Sequence, residues 1–295
     1  MTWPSGPSAT RRRTVRVALD VMGGDRPPEE RVRGGLAALD DEDIELILVG
    51  VPDVVEQALR EHDISRRSVR VVPSGPAIPE GTSPVSVLRE RADAAVAVAT
   101  RLVKAGEADA VASAGNTGAS MASAQVILGT LPGVDRVAAG GPIFGPLAPQ
   151  TVLLDGGANV DVRPHQLVAF GVLGAGYVRE AFQIENPTVA LLANGAERGK
   201  GNKQVREAYP LFEASGLNFI GQIEGYDLLG GRANVVICDG FVGNILVKFW
   251  EVVVQAVVRY AIAEAGELVP PASAQRMVEA AHAISGELTV RGGPL

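Results

Sequence analysis

ADAVASAGNTGASMASAQVIL, residues Ala108–Leu128, decides the fold class. A short run of small and β-branched residues is followed by a glycine-bearing turn and then a longer helical pattern. The spacing predicts a strand over Ala108–Ser113 and a helix over Asn116–Leu128. The turn between them, Ser113-Ala-Gly-Asn-Thr-Gly118, sits where a strand hands over to a helix. Backbone N–H groups there point at any anion beyond the strand, and the helix dipole favours that charge.

The same strand–turn–helix order repeats on both sides of this stretch. Strands are predicted at Thr14–Asp20, Ile44–Gly50, Ser68–Pro73, Thr151–Asp155, Thr188–Ala193, Leu217–Gly221 and Asn234–Asp239. Helices are predicted from Pro27 and Pro28 onward and at Pro52–His62, Val85–Ala105, Pro164–Phe182, Asn202–Ala214 and Phe241–Ala265. Alternation of this length implies βαβ units, and apolar strand runs imply burial on both faces. The expected fold class is therefore α/β, a mainly parallel Rossmann-like sheet sandwiched by helices. A flexible segment over 1–13 is expected to precede one α/β catalytic domain over 14–295. The Gly- and Pro-rich stretch Gly140–Pro149 reads either as a joint between lobes or as a surface loop.

Composition narrows the class further. The 295 residues are 46% hydrophobic and 21% charged, as in globular proteins, and only 4% aromatic. The core must therefore come from Val, Leu, Ile and Ala. The single cysteine, Cys238, excludes an intrachain disulfide and fits a reducing cytoplasm. With three His and that one Cys, no structural metal is expected. A formal net charge of −7 argues against nucleic acid as a partner. No signal peptide and no membrane-spanning run is expected, because Lys248, Glu251 and Arg259 interrupt the longest apolar stretch.

Ligands of open parallel sheets bind at the carboxyl edge, and five polar or glycine-rich turns fall there. Asp20-Val-Met-Gly-Gly-Asp25 offers Gly23 and Gly24, which permit close backbone approach, with Asp25 at a helix start. Ser113–Gly118 offers Gly115, Asn116 and Thr117; Asn116 or Thr117 serves as a helix cap or as a ligand group. The order resembles a phosphate loop, but no Gly-Lys-Ser/Thr ending is present, which excludes a Walker nucleotide site. Asp155-Gly-Gly-Ala-Asn-Val-Asp161 offers Asn159 and Asp161, which either cap the next helix or face a ligand. Asn194–Asn202 places Lys200 between Gly199 and Gly201, followed by Asn202, a cation over a backbone cradle suited to phosphate. Cys238-Asp-Gly-Phe-Val-Gly-Asn244 offers Asp239 and, in the first turn of a helix, Asn244, whose amide suits a developing oxyanion. Cys238 itself reads as a buried inert thiol. There is no G-x-S-x-G elbow and no H-E-x-x-H, and His62, His165 and His282 read as surface or packing residues. The inventory suits direct attack by a bound anion rather than a covalent acyl-enzyme.

LDVMGGD, ADAVASAGNTGA, LPGVDR, TVLLDGGANVD, GKGN, NFIGQIEG and VVICDGFVGN occur in this order from Val15 to about Lys248. Together they resemble the PlsX family of phosphate acyltransferases. The resemblance implies a fold like that of phosphotransacetylases and isopropylmalate-type dehydrogenases. It implies transfer of a fatty acyl group from acyl-[acyl-carrier-protein] to inorganic phosphate, feeding acyl phosphate to phospholipid synthesis without a cofactor. It also implies a homodimer acting in the cytoplasm or peripherally on the inner face of the membrane. Lys200 and Asn244 take the catalytic roles on this reading, with Asn116, Thr117, Asn159 and Asp161 lining the same cleft.

The sequence departs from the family at Ala196-Glu197-Arg198, at Arg89–Ala95 and at Val137, and it ends at Gly292-Gly-Pro-Leu295 before the family's usual last strand and helix. Arg11–Arg13, Arg89, Arg91, Arg101 and Lys104 are candidate contacts for an acidic carrier. The amphipathic pattern Pro271–Ile284 suits a membrane surface, a partner subunit or the core. Two rivals stay open: a phosphotransacetylase-like enzyme using acyl-coenzyme A, and a non-catalytic scaffold for acyl carriers.

Overall fold

The structure is a computed structural model; it describes residues 14–41, 43–64, 68–78, 91–142, 147–290 and 293–294. The segment 1–13, with Arg11–Arg13, lies outside the described residues, as does Arg89. The chain divides between Gly129 and Thr130 into two compact units, each with its own sheet, where one domain over 14–295 was expected.

The first unit carries β1 (Val15–Asp20), β2 (Ile44–Gly50), β3 (Val69–Pro73) and β4 (Ala110–Ser113), in the order β3-β2-β1-β4 and all parallel. Its helices are α1 (Pro28–Asp41), α2 (Pro52–Leu59), α3 (Ala95–Lys104) and α4 (Thr117–Ser123). Both α1 and α2 begin with proline followed by acidic residues, which suits the first turn. Strand β2 shows why the sheet needs helices on both sides. Leu46 and Leu48 are buried with Val32, Leu36 and Val55, while Ile47 and Val49 are buried with Ala95, Ala99 and Leu102. Alternate residues of one strand thus face different helix layers.

Two sequence expectations change here. The predicted helix over Val85–Ala105 starts only at Ala95 among the described residues, and residues 85–90 lie outside them. Ala94 forms a parallel bridge with Gly75 instead. The predicted helix Asn116–Leu128 loses α geometry after Ser123 and ends as a π turn over Ala124–Leu128.

The second unit orders its strands β10-β5-β6-β9-β7-β8. They are β5 (Ala139–Gly141), β6 (Val152–Leu154), β7 (Thr188–Leu192), β8 (Asn218–Ile223), β9 (Val235–Ile237) and β10 (Gly293–Pro294). The four central strands β6, β9, β7 and β8 are parallel, and β5 and β10 add an antiparallel edge. The helices are α5 (Pro164–Phe182), α6 (Lys203–Glu213), α7 (Gly240–Ala265) and α8 (Pro271–Val290).

One sheet face, with Val152, Leu154, Val189, Leu191, Val235 and Ile237, packs on Phe170 of α5 and Phe212 of α6. Each of these rings is fully buried and contributes roughly 1.5–3 kcal/mol relative to exposure. The opposite face, with Leu153, Ala190, Val236 and Cys238, packs on Leu246, Val247 and Trp250 at the start of α7.

Strand β5 was not expected. It overlaps the start of the stretch Gly140–Pro149 read as joint or loop, because Ala139-Gly-Gly141 carries no β-branched signal. A Cβ on Gly140 would come within 2.2 Å of the Leu153 carbonyl oxygen, so only glycine fits that pairing.

Helix α7 also departs from expectation. Its 26 residues reach a mean hydropathy of 1.6 over an 18-residue window, enough by length and composition to cross a membrane. Only 6% of that window is buried. The first turn is nevertheless built into the sheet: Gly240 N donates to Asn159 O at 2.8 Å, and Gly243 lies against Asp155. Phe249, Val252, Val257 and Tyr260 are exposed along the rest of the helix. Helix α8 packs against α7, with Ala281 buried and Met277 exposed.

Candidate active site

In the first unit, β1 and β4 pair through Asp20 and Ser113, so the turns after them leave the same edge. Asp20, 2% exposed, organises both. Its Oδ1 accepts from Met22 N and Gly23 N at 2.9 Å each, and its Oδ2 accepts from Ser113 Oγ at 2.8 Å. Ser113 Oγ in turn accepts from Gly115 N at 3.1 Å. A Cβ on Gly23 would lie 2.9 Å from Gly115 Cα, so the two turns meet backbone to backbone. Gly24 lies against the carbonyl of Ala114. Asn116 caps α4, its Oδ1 accepting from Ala119 N at 3.0 Å. Asp25 and Thr117 are exposed on this edge. Lys104 donates to the Leu128 carbonyl at 2.9 Å, and Arg91 and Arg101 are exposed.

In the second unit, three loops leave the carboxyl edge at one level, because Leu154 of β6 and Leu191 of β7 both pair with Ile237 of β9. The loop after β6 is organised by Asp155, fully buried. Its Oδ1 accepts from Gly157 N at 3.0 Å, Ala158 N at 2.8 Å and Ala139 N at 3.2 Å. Its Oδ2 accepts from Asn159 N at 2.8 Å and Asn159 Nδ2 at 2.7 Å.

Asn159, expected to cap α5 or face a ligand, does not cap α5. It is 6% exposed, its Nδ2 also donates to the Val137 carbonyl at 2.8 Å, and its own carbonyl receives Gly240 N. Its Nδ2 and backbone thus hold the loop and the start of α7, while its Oδ1 accepts from Arg136 Nη1 at 3.5 Å. Helix α5 is capped instead at Arg163, whose N–H donates to Gln166 Oε1 at 2.8 Å. Asp161 is exposed.

The loop after β7 presents Lys200, exposed, between Gly199 at φ +96° and Gly201 at φ +90°. Only glycine adopts such angles without strain. Lys200 N donates to Glu197 O at 3.1 Å, and Gly201 N donates to Asn194 Oδ1 at 2.9 Å. The Lys200 stem lies on Gly195, where a Cβ would come within 2.8 Å of Lys200 Cγ. Asn202 caps α6 by accepting from Val205 N at 2.9 Å.

The loop after β9 ends at Asp239, which caps α7: its Oδ1 accepts from Val242 N at 2.8 Å. Its Oδ2 accepts from Gln204 Nε2 of α6. Asp239 therefore ties the helix after Lys200 to the helix that carries Asn244. Asn244 is exposed in the first turn of α7, packed over Gly157.

Cys238 is 3% exposed, with Sγ 3.4 Å from the Asp155 carbonyl. Burial pushes the thiol pKa well up, which suppresses the nucleophilic thiolate. His165 is exposed and pairs with Asp135 at 2.9 Å; the bond holds the Asp135 carboxyl below its ordinary range. Among the described residues no group of three His, Cys, Asp or Glu converges on a metal position.

The structure thus brings Lys200, Asn202, Asp239 and Asn244 to one edge of the second unit, over a floor made by Asp155 and Asn159. Gly23, Gly24, Asp25, Gly115, Asn116 and Thr117 belong to the edge of the first unit. Asp20, Asp155, Gln204 and Gln222 were not singled out from sequence. The two aspartates head quoted motifs as last strand residues or first turn residues, which was a usable signal. The glutamines lie inside a helix and a strand, where nothing in the pattern marks them.

The family model described as "Fatty acid synthesis protein" matches residues 15–268. A phosphate acyltransferase of Heliobacterium modesticaldum is 44% identical over 243 residues, 82% of this chain and 72% of that relative. One of Desulforudis audaxviator is 44% identical over 241 residues, covering 82% and 70%. Among solved structures, a phosphotransacetylase from Streptococcus pyogenes superposes with a TM-score of 0.58 at 20% identity, covering 81% of each chain. Another from Staphylococcus aureus gives 0.56 at 23% identity, covering 81% and 82%. Those structures share the fold, an α/β architecture of parallel sheets flanked by helices. Matched over most of its length by the family model and by relatives of this identity, the chain belongs to the PlsX family of phosphate acyltransferases.

Proposed function

We propose that this chain transfers a fatty acyl group from acyl-[acyl-carrier-protein] to inorganic phosphate, releasing acyl phosphate for phospholipid synthesis. The observation that carries the reading is the common level of the three loops at Leu154, Leu191 and Ile237. It sets a cation on a glycine cradle and a helix-borne amide on one sheet edge, where anions bind parallel sheets.

Phosphate is neutralised by Lys200. A phosphate oxygen attacks the thioester carbonyl carbon, forming the new C–O bond and pushing the C=O electron pair onto oxygen. Lys200 and Asn244 hold that oxyanion, and a preorganised donor of this kind is typically worth about 2.7–4 kcal/mol. Collapse restores the C=O, breaks the C–S bond and releases the carrier thiolate, which takes its proton from solvent. The thiolate leaves readily, so the scheme needs no strong general acid, and neither cofactor nor metal enters it.

Trapping with hydroxylamine tests the substrate. Acyl hydroxamate is expected from long-chain acyl-carrier-protein plus phosphate. Product from acyl-coenzyme A alone would transfer the assignment to the phosphotransacetylase-like rival, and product from neither donor would favour the scaffold.

We also assign the apolar face of α7 to a second copy of the chain, working in the cytoplasm. Phe249, Val252, Val257 and Tyr260 are exposed at helical spacing on one face, and an unpartnered apolar face of this kind marks an interaction surface. Light scattering is expected to give twice the chain mass, with Val252→Asp giving a monomer. A monomeric wild type that binds anionic vesicles would replace the dimer with a membrane contact.

A further inference from the structure

We propose that Gln222 is a positioning residue that fixes the Lys200 loop for catalysis. The inference rests on the catalytic role given to Lys200 above. Gln222 lies in β8, in register with Leu191 at the end of β7, directly beside the departure of the 194–202 loop. It is 2% exposed. Its Nε2 donates to the Lys200 carbonyl at 3.0 Å, while its Oε1 is buried without a hydrogen-bond partner.

The loop needs such a tether. Gly199 and Gly201 both sit at positive φ, so Lys200 is flanked by two residues with no Cβ to restrict the backbone. The N–H of Lys200 is held from within the loop by Glu197, but its carbonyl is held from the sheet by Gln222. Gly201 completes the fit: a Cβ there would lie 3.3 Å from Gln222 Nε2 and 2.5 Å from Val205 Cγ1.

An amide is a poor choice for this position on stability grounds, because half of it stays unpaired in the interior. An apolar side chain of the same length would fill the space without the orphaned Oε1. What it would remove is the bond that sets where the Lys200 ammonium points, and catalytic groups need that placement held tightly.

The test compares Gln222→Met, Lys200→Ala and the double variant by phosphate-dependent release of carrier thiol. Gln222→Met is expected to lower kcat by about ten- to a hundredfold, the scale of a small misplacement of a catalytic group. The thermal midpoint should not fall, and KM for the acyl donor should not move. In the Lys200→Ala background the same substitution should do nothing further, since its effect passes through that side chain. Gln222→Glu supplies a pH readout. Only the protonated carboxyl can donate to the Lys200 carbonyl, so its activity relative to wild type should recover as pH falls.

Wild-type turnover in Gln222→Met, or an equal loss in both backgrounds, would overturn the assignment while leaving the role of Lys200 intact. Undiminished activity in Lys200→Ala would overturn both.

Discussion

Lys200→Ala is expected to lower phosphate-dependent turnover by about 10²–10³-fold, the equivalent of about 2.7–4 kcal/mol of transition-state stabilisation. The side chain is exposed, and its backbone is held by Glu197 and Gln222 whatever the side chain is. The fold should therefore survive, and circular dichroism and the thermal midpoint should match wild type. The loss should appear in kcat as well as in KM for phosphate, because the ammonium both neutralises the nucleophile and meets the developing oxyanion. Lys200→Arg should recover only part of the rate. A guanidinium is a planar fork rather than a compact charge, and the glycine cradle is shaped around the lysine stem on Gly195. Turnover unchanged in the alanine variant would remove Lys200 from the mechanism.

The largest effect on stability is expected at Asp155. Its carboxylate is fully buried and accepts from the N–H groups of Ala139, Gly157, Ala158 and Asn159 and from the Asn159 side chain. Asp155→Ala strands all of these donors. Each orphaned buried group costs about 1–3 kcal/mol, less whatever entering water restores. A net loss of roughly 3 kcal/mol or more is expected, out of the roughly 5–15 kcal/mol that holds a typical domain folded. A large fall in the urea midpoint is the readout. Activity of the folded fraction should fall too, because the same loop seats Gly240 and Gly243 at the start of the helix bearing Asn244. A shift below about 1 kcal/mol would mean that this carboxylate does not organise the loop.

Much of this architecture was legible because it rests on local patterns. Runs such as Ile44–Gly50 and Thr188–Leu192 are apolar on both faces, which only a sheet covered on both sides explains. The turns after them carried glycines and caps where the structure places its loops. Asn202 and Asp239, singled out as binding residues, turn out to cap helices. What stayed hidden depends on contacts between distant segments. Strand β5 exists because Gly140 fits under the Leu153 carbonyl, which no propensity reveals. The division at Gly129 follows from which strands pair, and helix-length periodicity does not encode that. Asn159 looked like a helix cap or a ligand group by residue type; the structure buries it beside Asp155 and caps α5 at Arg163 instead. Gln204 and Gln222 join the site only through partners 35 and 22 residues away in the chain.

The central claim is that phosphate itself attacks the thioester, with no acyl group passing through the protein. A single-turnover experiment addresses it directly, mixing enzyme in excess with long-chain acyl-carrier-protein and following free carrier thiol with and without phosphate. The account predicts no thiol release until phosphate is added, and then one acyl phosphate for each thiol. A burst of thiol stoichiometric with carrier in the absence of phosphate, with acyl group retained on the protein, would contradict it.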